Sequence, residues 1–133
     1  MSENGRSPRG ASFCDLEFLL VNLGRNQETA DRLIRLFLAN APVLRQRLSD
    51  AARAGDLPAL KDTLHDIRSS CVLFSGHQCV DRARDIELVV REHLARAPRD
   101  SQAVDWHGMS LPLHASIACM VDELESYLAD RPG

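Results

Sequence analysis

The chain has 133 residues, of which 44% are apolar and 5% aromatic, and its formal net charge is −3. That length and composition fit one domain with an aliphatic core and argue against wholesale disorder. The small negative charge excludes general nucleic-acid binding, which needs a basic stripe to displace counterions from phosphates.

Helical periodicity dominates, and no run of strict apolar/polar alternation reads as a strand. A short first helix is expected over residues 14–23, with Leu16, Leu19, Leu20 and Leu23 on one side and Gly24 as its stop. Asn26 can cap the second, whose stripe reads Leu33, Leu36, Phe37, Leu44, Leu48 and Ala51. Pro42 lies inside that helix and is expected to kink or break it, because it lacks an N–H and crowds the preceding turn. Gly55 ends it. Asp56 is the expected N-cap of the third helix, with Pro58 in the tolerant first turn. Its stripe is Leu57, Leu60, Leu64, Ile67, Cys71 and Phe74, closed by Gly76. A fourth helix is expected over residues 78–97, with Val80, Ala83, Ile86, Val90, Leu94 and Ala97 inward. Residues 98–108 read as irregular, after which Ser110 caps a fifth helix carrying Leu113, Ile117, Met120, Leu124 and Leu128. The expected fold is all-α: an up-and-down antiparallel four-helix bundle with an additional short N-terminal helix. Residues 1–12 are expected to be a flexible tail and residues 13–129 the bundle domain.

On the wheel of the third helix, His65 falls roughly 120° from the centre of the apolar stripe, toward solvent. Lys61 at i−4, Arg68 at i+3 and Ser69 at i+4 lie beside it, and Val72 extends the strip. A neutral imidazole is a good nucleophile near pH 7. Nearby cations stabilise the charge that phosphoryl transfer spreads over the equatorial oxygens. A surface histidine among basic neighbours is nevertheless common, so the wheel alone makes a weak case.

The segment Asp56-Leu57-Pro58-Ala59-Leu60, followed by Leu64-His65-Asp66-Ile67-Arg68-Ser69-Ser70, resembles the histidine-containing phosphotransfer (HPt) domain family. The family pattern has Asp, Leu four residues later, then His-x-Leu-Lys-Gly-Ser. It continues without gaps to a Gly/Ala pair, a small residue and a Leu-Glu pair, which here are Ser75-Gly76, Ala83 and Ile86-Glu87. Upstream, Leu23-Gly24, Leu33, Leu36-Phe37 and residues 52–56 are similar to the leading helices, so the resemblance covers about residues 14–128. It implies that His65 is phosphorylated and that Arg68 stands in for the usual lysine, a planar fork in place of a point charge. It implies that Glu87 accepts the Nδ1 proton of His65 and leaves Nε2 free to attack. Ser69 replaces the usual glycine where a partner docks. Lys61 rests on the wheel alone. The implied function is that of a phosphorelay carrier rather than an enzyme. Its partner is the receiver domain of a response regulator or hybrid histidine kinase, which owns the acceptor aspartate and its Mg²⁺. No cofactor or metal is expected on this chain, and a monomer is expected. Arg68→Ala should leave folding nearly unchanged, since Arg68 lies beside the stripe rather than in it.

Two other readings stay open: a degenerate module of the same fold that binds a receiver or an enzyme without transfer, and an unrelated dimerising bundle. His77, His93, His107 and His114 show no i+3 or i+4 pairing that would suit a metal. Trp106 and Tyr127 read as packing residues, and Arg82, Arg84, Arg91, Arg96 and Arg99 as a solvated face. Cys14, Cys71, Cys79 and Cys119 form no Cys-x-x-Cys pair and read as buried thiols. No apolar run reaches the roughly 20 residues of a membrane span, and no signal peptide is evident. A cytoplasmic protein without membrane partners is expected.

Overall fold

A computed structural model describes residues 13–96 and 104–130, so the expected tail over residues 1–12 lies outside the described residues. Five α-helices follow in order: α1 (Leu16–Asn22), α2 (Gln27–Ala54), α3 (Leu57–Val72), α4 (His77–Ala95) and α5 (Trp106–Ala129). The last four form the up-and-down bundle, and the described residues include no strand. Around the bundle α2 packs on α3 and α5, and α4 packs on α3 and α5, so α3 and α5 are diagonal. The short α1 lies against α2.

The core explains this order. Buried positions in α2 are Ala30, Ile34, Phe37, Ala41, Leu44, Leu48 and Ala51. In α3 they are Leu57, Leu60, Leu64, Ile67 and Cys71, continued by Phe74. In α5 they are Trp106, Ser110, Leu113, Ile117, Met120 and Leu124. All three alternate steps of three and four, a seam that keeps facing its neighbours when helices pack nearly parallel. Phe37 and Phe74 meet edge to face with ring centroids 5.3 Å apart, joining α2 to the end of α3.

Several local expectations need correction. Leu36 is exposed and Leu33 only half-buried, because the α2 seam runs through the alanines and Ile34 instead. Pro42 does not break α2, which continues through it. Pro42 is exposed, so water can reach the turn it weakens. Gly76 does not provide the left-handed stop after α3. Ser75 takes that conformation at φ 58°, and Gly76 begins α4 at φ −78°. A Cβ on Gly76 would stand 2.7 Å from the Met120 sulfur and 3.1 Å from the Cys71 carbonyl oxygen, so close packing requires the glycine. The fifth helix starts earlier than expected. Asp105 is its cap, accepting from the Gly108 N–H, while Ser110 is buried and donates to the His107 carbonyl. Leu94 is exposed rather than inward, and Ala97 lies outside the described residues. Asn26 and Asp56 cap α2 and α3 as expected, accepting from the Thr29 and Ala59 amides.

Cys14, Cys71 and Cys79 are buried free thiols and Cys119 is half-buried. Burial, helped by Glu123 and Cys79, pushes the Cys14 thiol up to about 12. Contact with Cys79, followed by burial, pushes Cys71 up as well. Among the described residues no helix is long and apolar enough to cross a membrane.

Candidate functional site

The seam between α3 and α4 holds the candidate site. The capped start of α3 and its buried stripe fix the helix rotation, which leaves His65 and Lys61 exposed on the flank facing α4. A cleft of about 290 Å³ there is lined by Lys61, Asp62, His65, Arg68, Glu87, Arg91 and Leu94. Four of the five predicted site residues therefore meet at one place, from two helices. Ser69, the fifth, lies outside that lining and is exposed one turn along α3.

Arg68 and Glu87 hold the cleft together. The Arg68 Nε donates to Glu87 Oε2 at 3.0 Å, and the two side chains are 28% and 12% exposed. The resemblance sets Glu87 against His65 Nδ1; its hydrogen-bond partner here is Arg68. Arg68 thus joins α3 to α4, so its removal is now expected to cost some stability rather than leave folding nearly unchanged. Next to His65, Asp66 pairs with Arg47 of α2 at 2.9 Å, bracing the other flank of α3. His65 is exposed, and among the described residues none hydrogen-bonds its ring.

Arg91 is the residue that sequence reasoning assigned to the solvated face and that the structure brings into the cleft. Its signal was position: it lies one turn beyond Glu87 on the same face of α4. The cleft therefore carries three cations, Lys61, Arg68 and Arg91, around one exposed imidazole. Of the other arginines read as that face, Arg82 is half-buried and donates to the Pro112 carbonyl, Arg84 and Arg96 are exposed, and Arg99 lies outside the described residues. Trp106 is buried against His93, and Tyr127 accepts from Gln27, so both are packing residues as expected.

Beyond His65 the same end of α3 is apolar. Val72 is 58% exposed and Leu73 43%, and α2 adds Leu36 at 60%. A groove of about 490 Å³ runs along the α2–α3 seam past Leu36, Asn40, Ser70 and Leu73. A lone exposed leucine means little, but Leu36 and Leu73 line this groove together. No group of three or more His, Cys, Asp or Glu side chains among the described residues could hold a metal ion.

A family model described as the Hpt domain matches residues 32–130. Comparisons with curated proteins and with solved structures each gave no match. The matched segment spans α3 and α4 with His65 and the whole cleft, and histidine phosphotransfer is the function commonly attributed to the family. With its all-α bundle and its exposed, cation-flanked histidine, the chain belongs to the Hpt domain family.

Proposed function

We propose that the chain relays a phosphoryl group through His65, taking it from, or giving it to, the aspartate of a receiver domain. The observation that carries this reading is the cleft itself: an exposed imidazole within reach of Lys61, Arg68 and Arg91. In the forward step Nε2 attacks the phosphorus of an aspartyl phosphate. The P–N bond forms as the P–O bond breaks, and the aspartate leaves with the electron pair. There is little covalent work for the chain to do, so position and charge decide the rate. The cations receive the equatorial oxygens and then hold the phosphohistidine. Glu87 holds Arg68 through Oε2, and Oε1 is assigned to the Nδ1–H of His65 when the ring turns inward, which leaves Nε2 free to react. The Mg²⁺ that the chemistry needs belongs to the receiver. The receiver is placed over Ser69, Val72 and Leu73, with Leu36 at its edge. The working unit is a monomer.

A second reading is a binder of the same fold that does not transfer. Ser69 favours it, because its side chain adds bulk at i+4 from His65, where the family pattern has glycine. Incubation with a panel of phosphorylated receivers and Mg²⁺ separates the two. Label moving onto the chain from at least one receiver supports the relay. Tight binding of receivers with no label passing supports the binder.

A further inference from the structure

The α2–α5 seam, diagonally across the bundle from the His65 cleft, contains a second cavity, of about 480 Å³. α2 supplies Arg45, Ser49 and Arg53, which recur at steps of four and so share a face. α5 supplies His107 and His114, seven residues apart and therefore two turns apart on one face. No carboxylate lines the cavity. The nearest acids on these elements are engaged elsewhere: Asp50 accepts from Gln46, and Asp105 accepts from the Gly108 amide as the cap of α5.

The donors are organised rather than scattered. His114 is 8% exposed. Its Nδ1 accepts from Arg45 Nε at 3.3 Å, which leaves Nε2–H to donate to Ser49 Oγ at 3.2 Å. Burial, followed by Arg45, His107 and Arg53, makes His114 harder to protonate than an ordinary histidine. Arg45 thereby lies in the cavity wall, and among the described residues its terminal nitrogens have no partner. Arg53 has no ion-pair or hydrogen-bond partner among the described residues. Two guanidinium groups with no acid in the lining make the wall basic. What separates it from two solvated surface arginines is Arg45, held in place by the buried His114.

We propose that this seam binds a small organic phosphate. Its phosphate oxygens would accept from Arg45 and Arg53, and its organic part would rest on Pro42 and Leu111, beside His107 and His114. A phosphomonoester suits the site better than a carboxylate does. It has three terminal oxygens to share between two guanidinium groups, whose planar forks grip such oxygens in pairs. The cavity lies within the roughly 300–1,000 Å³ typical of small-molecule sites, more than a bare ion fills. The His65 cleft lies on the other seam, so occupancy here leaves the relay histidine open.

The test is an NMR titration of the whole chain with phenyl phosphate, following the imidazole signals of all five histidines. Saturable shifts at His107 and His114 are expected, with weaker binding of inorganic phosphate. Arg53→Gln should weaken phenyl phosphate roughly tenfold, the loss of one charge-assisted contact. Arg53 is exposed, so this variant should fold normally, and its circular dichroism checks that it does. Arg45→Gln should weaken binding at least as much. His65→Gln should leave it unchanged. Shifts that never saturate, saturation only at His65, or equal weakening by Lys61→Gln and Arg53→Gln would each overturn the proposal.

Discussion

Breaking the Arg68–Glu87 pair should cost both stability and transfer, by separable amounts. Opposite charges about 4 Å apart attract by about 4 kcal/mol at an effective dielectric of 20. Desolvation and the ordering of two long side chains take back most of this. Exposed pairs are worth about 0–1 kcal/mol and fully buried ones lose about 3–5 kcal/mol when one partner is removed. With exposures of 28% and 12%, this pair lies between those limits. Arg68→Ala should therefore destabilise the fold by about 1–2 kcal/mol, because it strands the more buried Glu87 carboxylate. Glu87→Ala should cost less, since Arg68 can reach water. The double variant should lie close to Glu87→Ala, giving a coupling energy of about 1–2 kcal/mol in a double-mutant cycle by urea unfolding. Transfer from a phosphorylated receiver, measured by quench-flow, should slow by roughly tenfold to a hundredfold in Arg68→Ala, which is about 1–3 kcal/mol of transition-state stabilisation. Glu87→Ala should slow it less, because the cation stays while its position loosens. A coupling energy near zero together with wild-type transfer in Arg68→Ala would refute the reasoning.

Other outcomes follow from particular contacts. Gly76→Ala should lose about 1–3 kcal/mol, as expected of overpacking against Met120 and the Cys71 carbonyl, and an unchanged thermal midpoint would mean that Met120 yields freely. The protonation of His114 is disfavoured in the folded chain by burial, Arg45, His107 and Arg53. The unfolded chain therefore binds a proton that the folded chain resists, and the stability from His114 is full above about pH 6.5 and lost as pH falls below it. A His114→Gln variant should show a flatter fall in stability between about pH 6.5 and 5 than wild type; parallel curves would contradict this. In Cys14 the shift is upward, so its contribution is full below pH 9.0 and lost as pH rises toward about 12, which Cys14→Ala should flatten in alkaline unfolding. Ser69→Gly should leave transfer from the chain's own receiver within a few-fold while widening acceptance of others. A large loss of cognate transfer at unchanged affinity would instead show the Ser69 hydroxyl touching the transferring group.

Caps and large aliphatic stripes were legible in the sequence because their physics is local. Asn26 and Asp56 sit where an orphan amide needs an acceptor, and the α3 stripe names its own buried face. The α2 seam was partly hidden because alanines such as Ala30 and Ala41 carry much of it, while the larger Leu36 faces out. Size suggested the wrong face, and the demand for close helix approach set the right one. The start of α5 was misplaced for a similar reason. Asp105 and Ser110 are both good caps in isolation, and the burial of Trp106 against His93 decides between them. At the site, residues on one helix were readable from the wheel. The Arg68–Glu87 bond and the entry of Arg91 depend on how α3 and α4 face one another, which no single-helix argument contains. The pairing of His107 with His114 across two turns was equally open to a wheel, but it acquires meaning only when α2 sets Arg45 and Arg53 opposite.

The central claim is that His65 carries the phosphoryl group, and the most direct test is to locate the label after transfer from a phosphorylated receiver. A phosphoramidate on an imidazole is broken by acid and survives alkali, whereas a serine ester behaves in the opposite sense toward acid. The account predicts one acid-labile, alkali-stable phosphate per chain, mapped to His65 by mass spectrometry and absent from His65→Ala, which keeps its helical circular dichroism. Label persisting in His65→Ala, or residing on Ser69 or Ser70, would contradict it.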